Sequence, residues 1–112
     1  MKKLVKIIIL SIFFLNCDND SEFDLKTPTP ETVKYTTNIK PIMQEKCNSC
    51  HNSGNSNYST YQLTKDNINI ILNRIQRENG DNLLMPQGGP KLSQADINLF
   101  IKWKADGLLD NN

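Results

Sequence analysis

Two cysteines and the only histidine of the 112-residue chain lie together in the segment CNSCH, residues 47–51. Two thiols three positions apart, followed at once by an imidazole, suit three chemistries: covalent haem attachment, a zinc site or a dithiol pair. A chain of this length has room for one small domain. The segment therefore belongs to one domain with a small core. The rest of the sequence indicates which of the three chemistries fits.

The ligand inventory counts against zinc. A structural zinc site needs four Cys or His ligands, and Cys47, Cys50 and His51 supply three with no second pair after them. A thioredoxin-like dithiol usually follows a strand, whereas a helical pattern precedes residue 47. A structural disulfide between the two cysteines is the other dithiol alternative.

The first 16 residues are typical of a secretory signal, with lysines before a short apolar run. This run is shorter than the ~20 residues that span a bilayer. Cys17 follows it and resembles the lipid-modified cysteine of bacterial lipoproteins, although Asn16 stands where a small residue is usual. The alternatives are cleavage nearby, which leaves a free thiol at Cys17, and an uncleaved interfacial anchor.

We expect three regions: a signal peptide (1–16), a flexible tether (17–32) and a folded domain (33–112). The tether is acidic at first and then carries the repeat TPTP, which opposes a helix. Loss of the three signal lysines leaves ten basic residues against twelve acidic ones. The remaining chain has no excess of basic residues, so we expect no nucleic-acid partner.

Three helical patterns follow. The first covers residues 38–47, with Asn38 as N-cap and Pro41 in the first turn. The second begins after Thr64 as N-cap and ends at Gly80. The third begins at Ser93 with Asp96 in a capping-box arrangement, and ends at Gly107. The predicted apolar faces are Ile39, Ile42 and Met43; then Ile68, Ile71, Leu72 and Ile75; then Ile97, Phe100, Ile101 and Lys104, with Trp103 adding bulk.

No strand pair is evident, so the sequence predicts an all-α fold with two long loops, residues 52–62 and 81–92. Long loops in a small domain are usually functional or held by something. Three short helices bury little surface, and a large apolar cofactor would help to explain such a fold.

CxxCH is the attachment signature of c-type haem. Cys47 and Cys50 would bond to the two vinyl groups of one porphyrin, and His51 would reach the iron from the same side. Export favours this chemistry, because covalent haem attachment takes place outside the bacterial cytoplasm. No second histidine exists to complete the iron coordination. Met85, in a Pro/Gly loop 34 residues after His51, offers a soft thioether ligand, whereas Met43 fits core packing better.

The chain therefore resembles a small monohaem cytochrome c domain. The resemblance rests on NIKPIMQEKCNSCH, on MPQGG and on the terminal IKWKADG, and it covers roughly residues 33–110. It implies a class I-like cytochrome c fold, in which three or more short helices wrap one covalently bound haem and the first and last helices cross. It also implies His51 as proximal and Met85 as distal iron ligand.

Two features depart from the family pattern. A proline often follows the CxxCH histidine and orients the imidazole through its carbonyl, but residues 52–62 contain none. Another carbonyl or side chain must therefore orient His51. Aliphatic side chains also replace the usual Gly/aromatic pair of the first helix.

The resemblance implies electron transfer rather than catalysis, because His/Met ligation saturates the iron. The alternatives are a peroxidase-like haem enzyme or accessory subunit, and a haem-based ligand sensor, each with a displaceable distal ligand. We expect redox proteins as partners, and a monomer or a subunit of a respiratory assembly. An acylated Cys17 would hold the protein to a membrane of the cell envelope, at a periplasmic or outer-membrane face.

Overall fold

The computed structural model describes residues 28–111, which contain helices and no strand. The prediction of an all-α chain is confirmed for this part. The α-helices are α1 (Lys40–Lys46), α2 (Tyr61–Asp66), α3 (Ile68–Ile75) and α4 (Gln94–Ala105), with a π-helical turn at Tyr35–Ile39 and a 3₁₀ turn at Gly54–Ser56. The predicted signal segment, Cys17 and most of the predicted tether lie outside the described residues. No helix within residues 28–111 is long and apolar enough to cross a membrane.

The first helix begins earlier than the sequence predicts. The chain enters a π-helical turn at Tyr35 and continues directly into α1, where Pro41 lies in the first turn. The predicted N-cap, Asn38, lies inside this helix. Its Oδ1 accepts a hydrogen bond from the backbone N–H of Lys34 at 2.9 Å, which satisfies a donor at the helix start. The helix extends back to Tyr35 because the Tyr35 ring is buried in the core, which places the π-helical turn before α1 against that core.

The second predicted helix is two helices, and its predicted N-cap is wrong. Thr60 is the cap, since its hydroxyl accepts from the N–H of Leu63 at 3.3 Å. Thr64 is fully buried instead. Asn67 separates α2 from α3, and its side-chain amide donates to the carbonyl of Leu63 at 2.8 Å.

α3 buries the predicted stripe and ends five residues before Gly80. The four stripe residues, Ile68, Ile71, Leu72 and Ile75, are all buried. The end at Gly80 is wrong because Arg74, in the last turn, gives its carbonyl to the N–H of Met85 in the following loop. In a longer α3, the carbonyl of Arg74 would accept a hydrogen bond from an N–H of the same helix. Here it accepts one from the loop instead.

α4 begins and ends as predicted. The Ser93 hydroxyl accepts from the N–H of Asp96 at 3.1 Å, the cap that the sequence predicts. After the helix, Gly107 adopts a φ of 93°, and the N–H of Leu108 donates to the carbonyl of Trp103 at 2.9 Å. This is the Schellman geometry that favours glycine.

The buried face of α4 differs from the prediction at two positions. Phe100 and Trp103 are fully buried and Ile97 is nearly so, whereas Ile101 is 41% exposed and Lys104 is also exposed. Spacings of three place Ile97, Phe100 and Trp103 on one stripe, and Ile101 and Lys104 lie beside it. α4 packs against both the π-helical turn and α3. The expected meeting of the first and last helices is present, because Ile39, Met43, Phe100 and Trp103 belong to one core cluster.

The two ends of the folded part are joined by what we call the terminal clasp, formed by residues 33–36 with residues 106–110. The N–H of Val33 donates to Asp106 Oδ2 at 2.8 Å, and the N–H of Tyr35 donates to the carbonyl of Leu109, also at 2.8 Å. Lys102 pairs with the other oxygen of Asp106 at 3.0 Å. The N–H of Val33, followed by Lys102, lowers the pKa of Asp106 from its ordinary value.

Substitution of this carboxylate, Asp106→Asn, should destabilise the protein near neutral pH and have a diminishing effect in acid. Because the pKa of Asp106 is lower in the folded state, its stabilisation is full above the ordinary aspartate pKa. It is lost as pH falls through the folded-state value. Urea unfolding at a series of pH values from about 7 to about 2.5 measures this difference.

Asp66→Asn is the matched control, because Asp66 lies on the exposed end of α2 and accepts a hydrogen bond from Gln62 within one helical turn. It should leave the pH profile unchanged. A destabilisation by Asp106→Asn that persists undiminished in acid would mean that the negative charge of Asp106 does not hold the clasp.

Candidate functional site

The CNSCH segment forms a tight turn directly after α1. The N–H groups of Cys50 and His51 both donate to the carbonyl of Cys47, at 3.1 and 2.9 Å, and the N–H of Cys47 donates to the carbonyl of Met43. One backbone carbonyl thereby fixes both cysteines and the histidine in a single turn. Both cysteines are free thiols, with Cys47 half-buried and Cys50 exposed.

Burial raises the pKa of the Cys47 thiol to about 11. Reactive CxxC cysteines have the opposite property, a lowered pKa that makes a thiolate available near neutral pH. Burial of Cys47 therefore opposes the thiolate that a dithiol redox pair needs.

His51 is held by a backbone carbonyl and by an aromatic ring. Its Nδ1 lies 2.9 Å from the carbonyl oxygen of Ser56, in the 3₁₀ turn. Because a carbonyl can only accept, Nδ1 is the donor in this contact, and Nε2 is the ring nitrogen that does not take part in it. The ring of Tyr58 stacks on the imidazole, with centroids 4.9 Å apart and planes inclined by 21°. The carbonyl of Ser56 thus orients the His51 ring, in a segment that contains no proline.

The chain after the 3₁₀ turn is fixed by Thr64. The N–H of Tyr58 donates to the carbonyl of His51 at 2.9 Å. The buried hydroxyl of Thr64 lies 2.9 Å from the carbonyl oxygens of Tyr58 and of Thr60, and it shares its proton between them. The polar loop therefore has an internal anchor next to the imidazole. Tyr58, one of two tyrosines in the polar segment 52–62, is the sequence signal for this anchor.

Met85 is positioned by α3. Its N–H donates to the carbonyl of Arg74 at 3.3 Å. Earlier in the same loop, Asp81 pairs with Arg77 at 2.8 Å and accepts from the N–H of Leu83 at 2.7 Å. Leu83 together with Arg77 lowers the pKa of Asp81. The loop is thus bonded to the last turn of α3 and to the residues just after it.

The predicted site residues of the described chain border two adjoining cavities. The larger, about 470 Å³, is lined by Cys47, His51 and Met85, and the smaller, about 340 Å³, by these three and Cys50. Volumes of this order are typical of small-molecule and cofactor sites. The structure therefore brings Cys47, Cys50, His51 and Met85 together around one space. Cys17 lies outside the described residues.

The lining of the larger cavity is mixed. Aliphatic side chains such as Ile71 and Ile75 lie beside polar ones such as Tyr58, Asn67 and Arg74, and neither cavity has an Asp or Glu in its wall. Among the described residues, no group of three or more His, Cys, Asp or Glu side chains is arranged to hold a metal ion. His51 and Met85, one imidazole and one thioether, do not constitute such a group.

No family model, curated protein or solved structure matches this chain. The site is therefore interpreted from its own residues.

Removal of the Thr64 hydroxyl by Thr64→Val should lower the free energy of unfolding by about 1 kcal/mol, because it removes the hydrogen bond to the carbonyl of Tyr58. Urea denaturation followed by circular dichroism measures the change. Thr37→Val makes the same chemical change at an exposed position and should stay within about 0.5 kcal/mol of wild type. Equal effects of the two substitutions would exclude a special anchoring role for Thr64.

Proposed function

We propose that residues 33–110 form a cytochrome c-like domain that transfers single electrons through one covalently attached haem. Cys47 and Cys50 carry the thioether bonds, and His51 and Met85 bind the iron. The observation that supports this proposal is that all four of these residues border two adjoining cavities.

The cavity residues fit a haem chemically. The apolar part of the wall includes Met43, Ile71 and Ile75, which suits the face of a porphyrin, and Cys47 and Cys50 lie on one turn beside it. The carbonyl of Ser56 holds the Nδ1 proton of His51, so that Nε2 is the nitrogen available to a metal. When bound, the haem supplies the one-electron redox chemistry of its iron.

Met85 is the better of the two candidate methionines for the distal position. Met43 is fully buried within the core cluster, although it also borders the larger cavity. Met85 is half-buried in an irregular loop, borders both cavities, and is bonded to α3 through its own N–H. A loop ligand can meet the iron without disrupting helix packing.

Ligation by His51 and Met85 supports an electron carrier rather than an enzyme. It leaves no open position on the iron for dioxygen or a substrate. The cavity walls hold no carboxylate and no second histidine for acid–base chemistry. Gln87 is the uncharged polar side chain that borders both cavities together with Met85, and it lacks a titrating group.

Optical spectroscopy of the purified protein tests the proposal. The pyridine haemochrome should carry the covalent-haem signature, and the oxidised protein should show the far-red charge-transfer band of Met-ligated haem. Met85→Ala should abolish that band and allow carbon monoxide to bind the reduced form. Met43→Leu, a swap of similar volume, should retain the band and exclude carbon monoxide.

A haemochrome without the covalent signature would overturn haem attachment itself. Ready binding of carbon monoxide to the reduced wild type would instead support the peroxidase-like or sensor alternative. Loss of the band in Met43→Leu with retention in Met85→Ala would exchange the roles of the two methionines.

We propose further that the protein is exported and anchored in the cell envelope by a lipid on Cys17. Support comes from the sequence alone: a basic start, a short apolar run and a cysteine at its end. A flexible tether of about 15 residues has a reach of roughly 20 Å, which would let the domain move between redox partners near the membrane.

Labelled fatty acid should be incorporated into the wild-type protein and not into Cys17→Ser, with the variant recovered in the soluble fraction. The physical reason is that membrane affinity scales with the buried acyl chain. Cys50→Ser is the control, since it removes a cysteine of the haem site and should leave labelling intact. Labelling that persists in Cys17→Ser would contradict the lipid anchor.

A further inference from the structure

Arg74 is half-buried and forms part of the wall of the larger cavity. One nitrogen of its guanidinium, Nη1, is buried and makes no hydrogen bond within residues 28–111. A buried N–H without an acceptor is costly, so this nitrogen calls for an acceptor that the described chain does not supply.

The neighbouring Arg77 has hydrogen-bond partners from the protein and does not belong to the wall of either cavity. It donates to Asp81 at 2.8 Å and to Asn73 at 3.0 Å, while its buried Nε has no partner. Asp81 is hydrogen-bonded to Arg77 and acts on Arg74 through its charge alone. Arg74 is the arginine in the wall of the larger cavity.

Arg74 is also the residue whose carbonyl accepts the N–H of Met85. Arg74 therefore borders the cavity and, through its backbone carbonyl, also binds the loop that carries Met85. A guanidinium suits a carboxylate, which it can bind through two parallel hydrogen bonds.

We infer that Arg74 binds an acidic substituent of the cofactor. Because the carbonyl of Arg74 also accepts the N–H of Met85, this contact links the position of the bound cofactor to that of Met85. This rests on the proposed haem function, because the propionates are the carboxylates that a haem brings. Arg74 is a positioning residue, since it touches the periphery of the cofactor and not its metal. Its positive charge offsets that of the carboxylate and thereby raises the reduction potential of the iron.

Redox titration of the holoprotein tests the inference. Arg74→Gln should lower the midpoint potential relative to wild type, because an uncompensated carboxylate stabilises the oxidised iron. Arg74→Lys should recover most of the shift by restoring the charge. The far-red band is recorded in the same samples. Its retention in Arg74→Gln assigns the shift to the lost charge, its loss in Arg74→Gln but not in Arg74→Lys supports the coupling to Met85, and its loss in both variants contradicts the role of the charge.

Lys104→Gln is the matched control. Lys104 lies on the exposed side of α4, hydrogen-bonds Asn69 at 2.7 Å and lies outside both cavity walls. This variant removes the same unit of charge and should leave the potential close to that of wild type.

An unchanged potential in Arg74→Gln, or equal shifts in Arg74→Gln and Lys104→Gln, would overturn the role of Arg74 while the covalent haem of the wild type still stood. Absence of covalent haem from the wild type would instead defeat the proposed function. The two failures are therefore distinguishable.

Discussion

The buried indole of Trp103 is the contact on which the rest of the fold depends. Its ring lies within 5.8 Å of the Tyr35 ring and 6.3 Å of the Tyr61 ring, centroid to centroid, and its N–H donates to the carbonyl of Leu109 at 2.8 Å. One side chain of α4 thereby reaches the first helix, the second helix and the C-terminal segment. Aromatic side chains bury large areas, which suits a domain whose helices are too short to stabilise themselves.

With the helices fixed in this way, the site is built from loops that are held by backbone contacts. Ser56, in the 3₁₀ turn, contacts His51, and Arg74, in α3, contacts Met85, in each case through a backbone carbonyl. Backbone groups make such contacts without regard to side-chain identity. This explains how a polar segment with no proline can still orient an imidazole, and why residue type alone did not reveal the contact.

Features that depend on local chemistry could be predicted from the sequence. The cap of α4 at Ser93, its end at Gly107 and the buried stripe of α3 follow from hydrogen-bonding side chains, glycine conformation and helical periodicity. The four described site residues were likewise chosen from spacing and ligand chemistry, and the structure brings them to one space. Features set by tertiary contacts could not be predicted. Thr64 has the residue type of a cap and is drawn into the core instead, and the aromatic cluster starts the first helix at Tyr35 rather than Asn38.

The terminal clasp has a mechanical consequence. The described chain enters the fold at Val33, which is hydrogen-bonded to Asp106 just past α4, and neither residue belongs to a cavity wall. The entering segment is therefore fastened to the end of the longest helix before it continues into α1 and the turn that carries His51. A pulling force applied upstream of Val33 would have to break these hydrogen bonds before it separated the entering segment from α4.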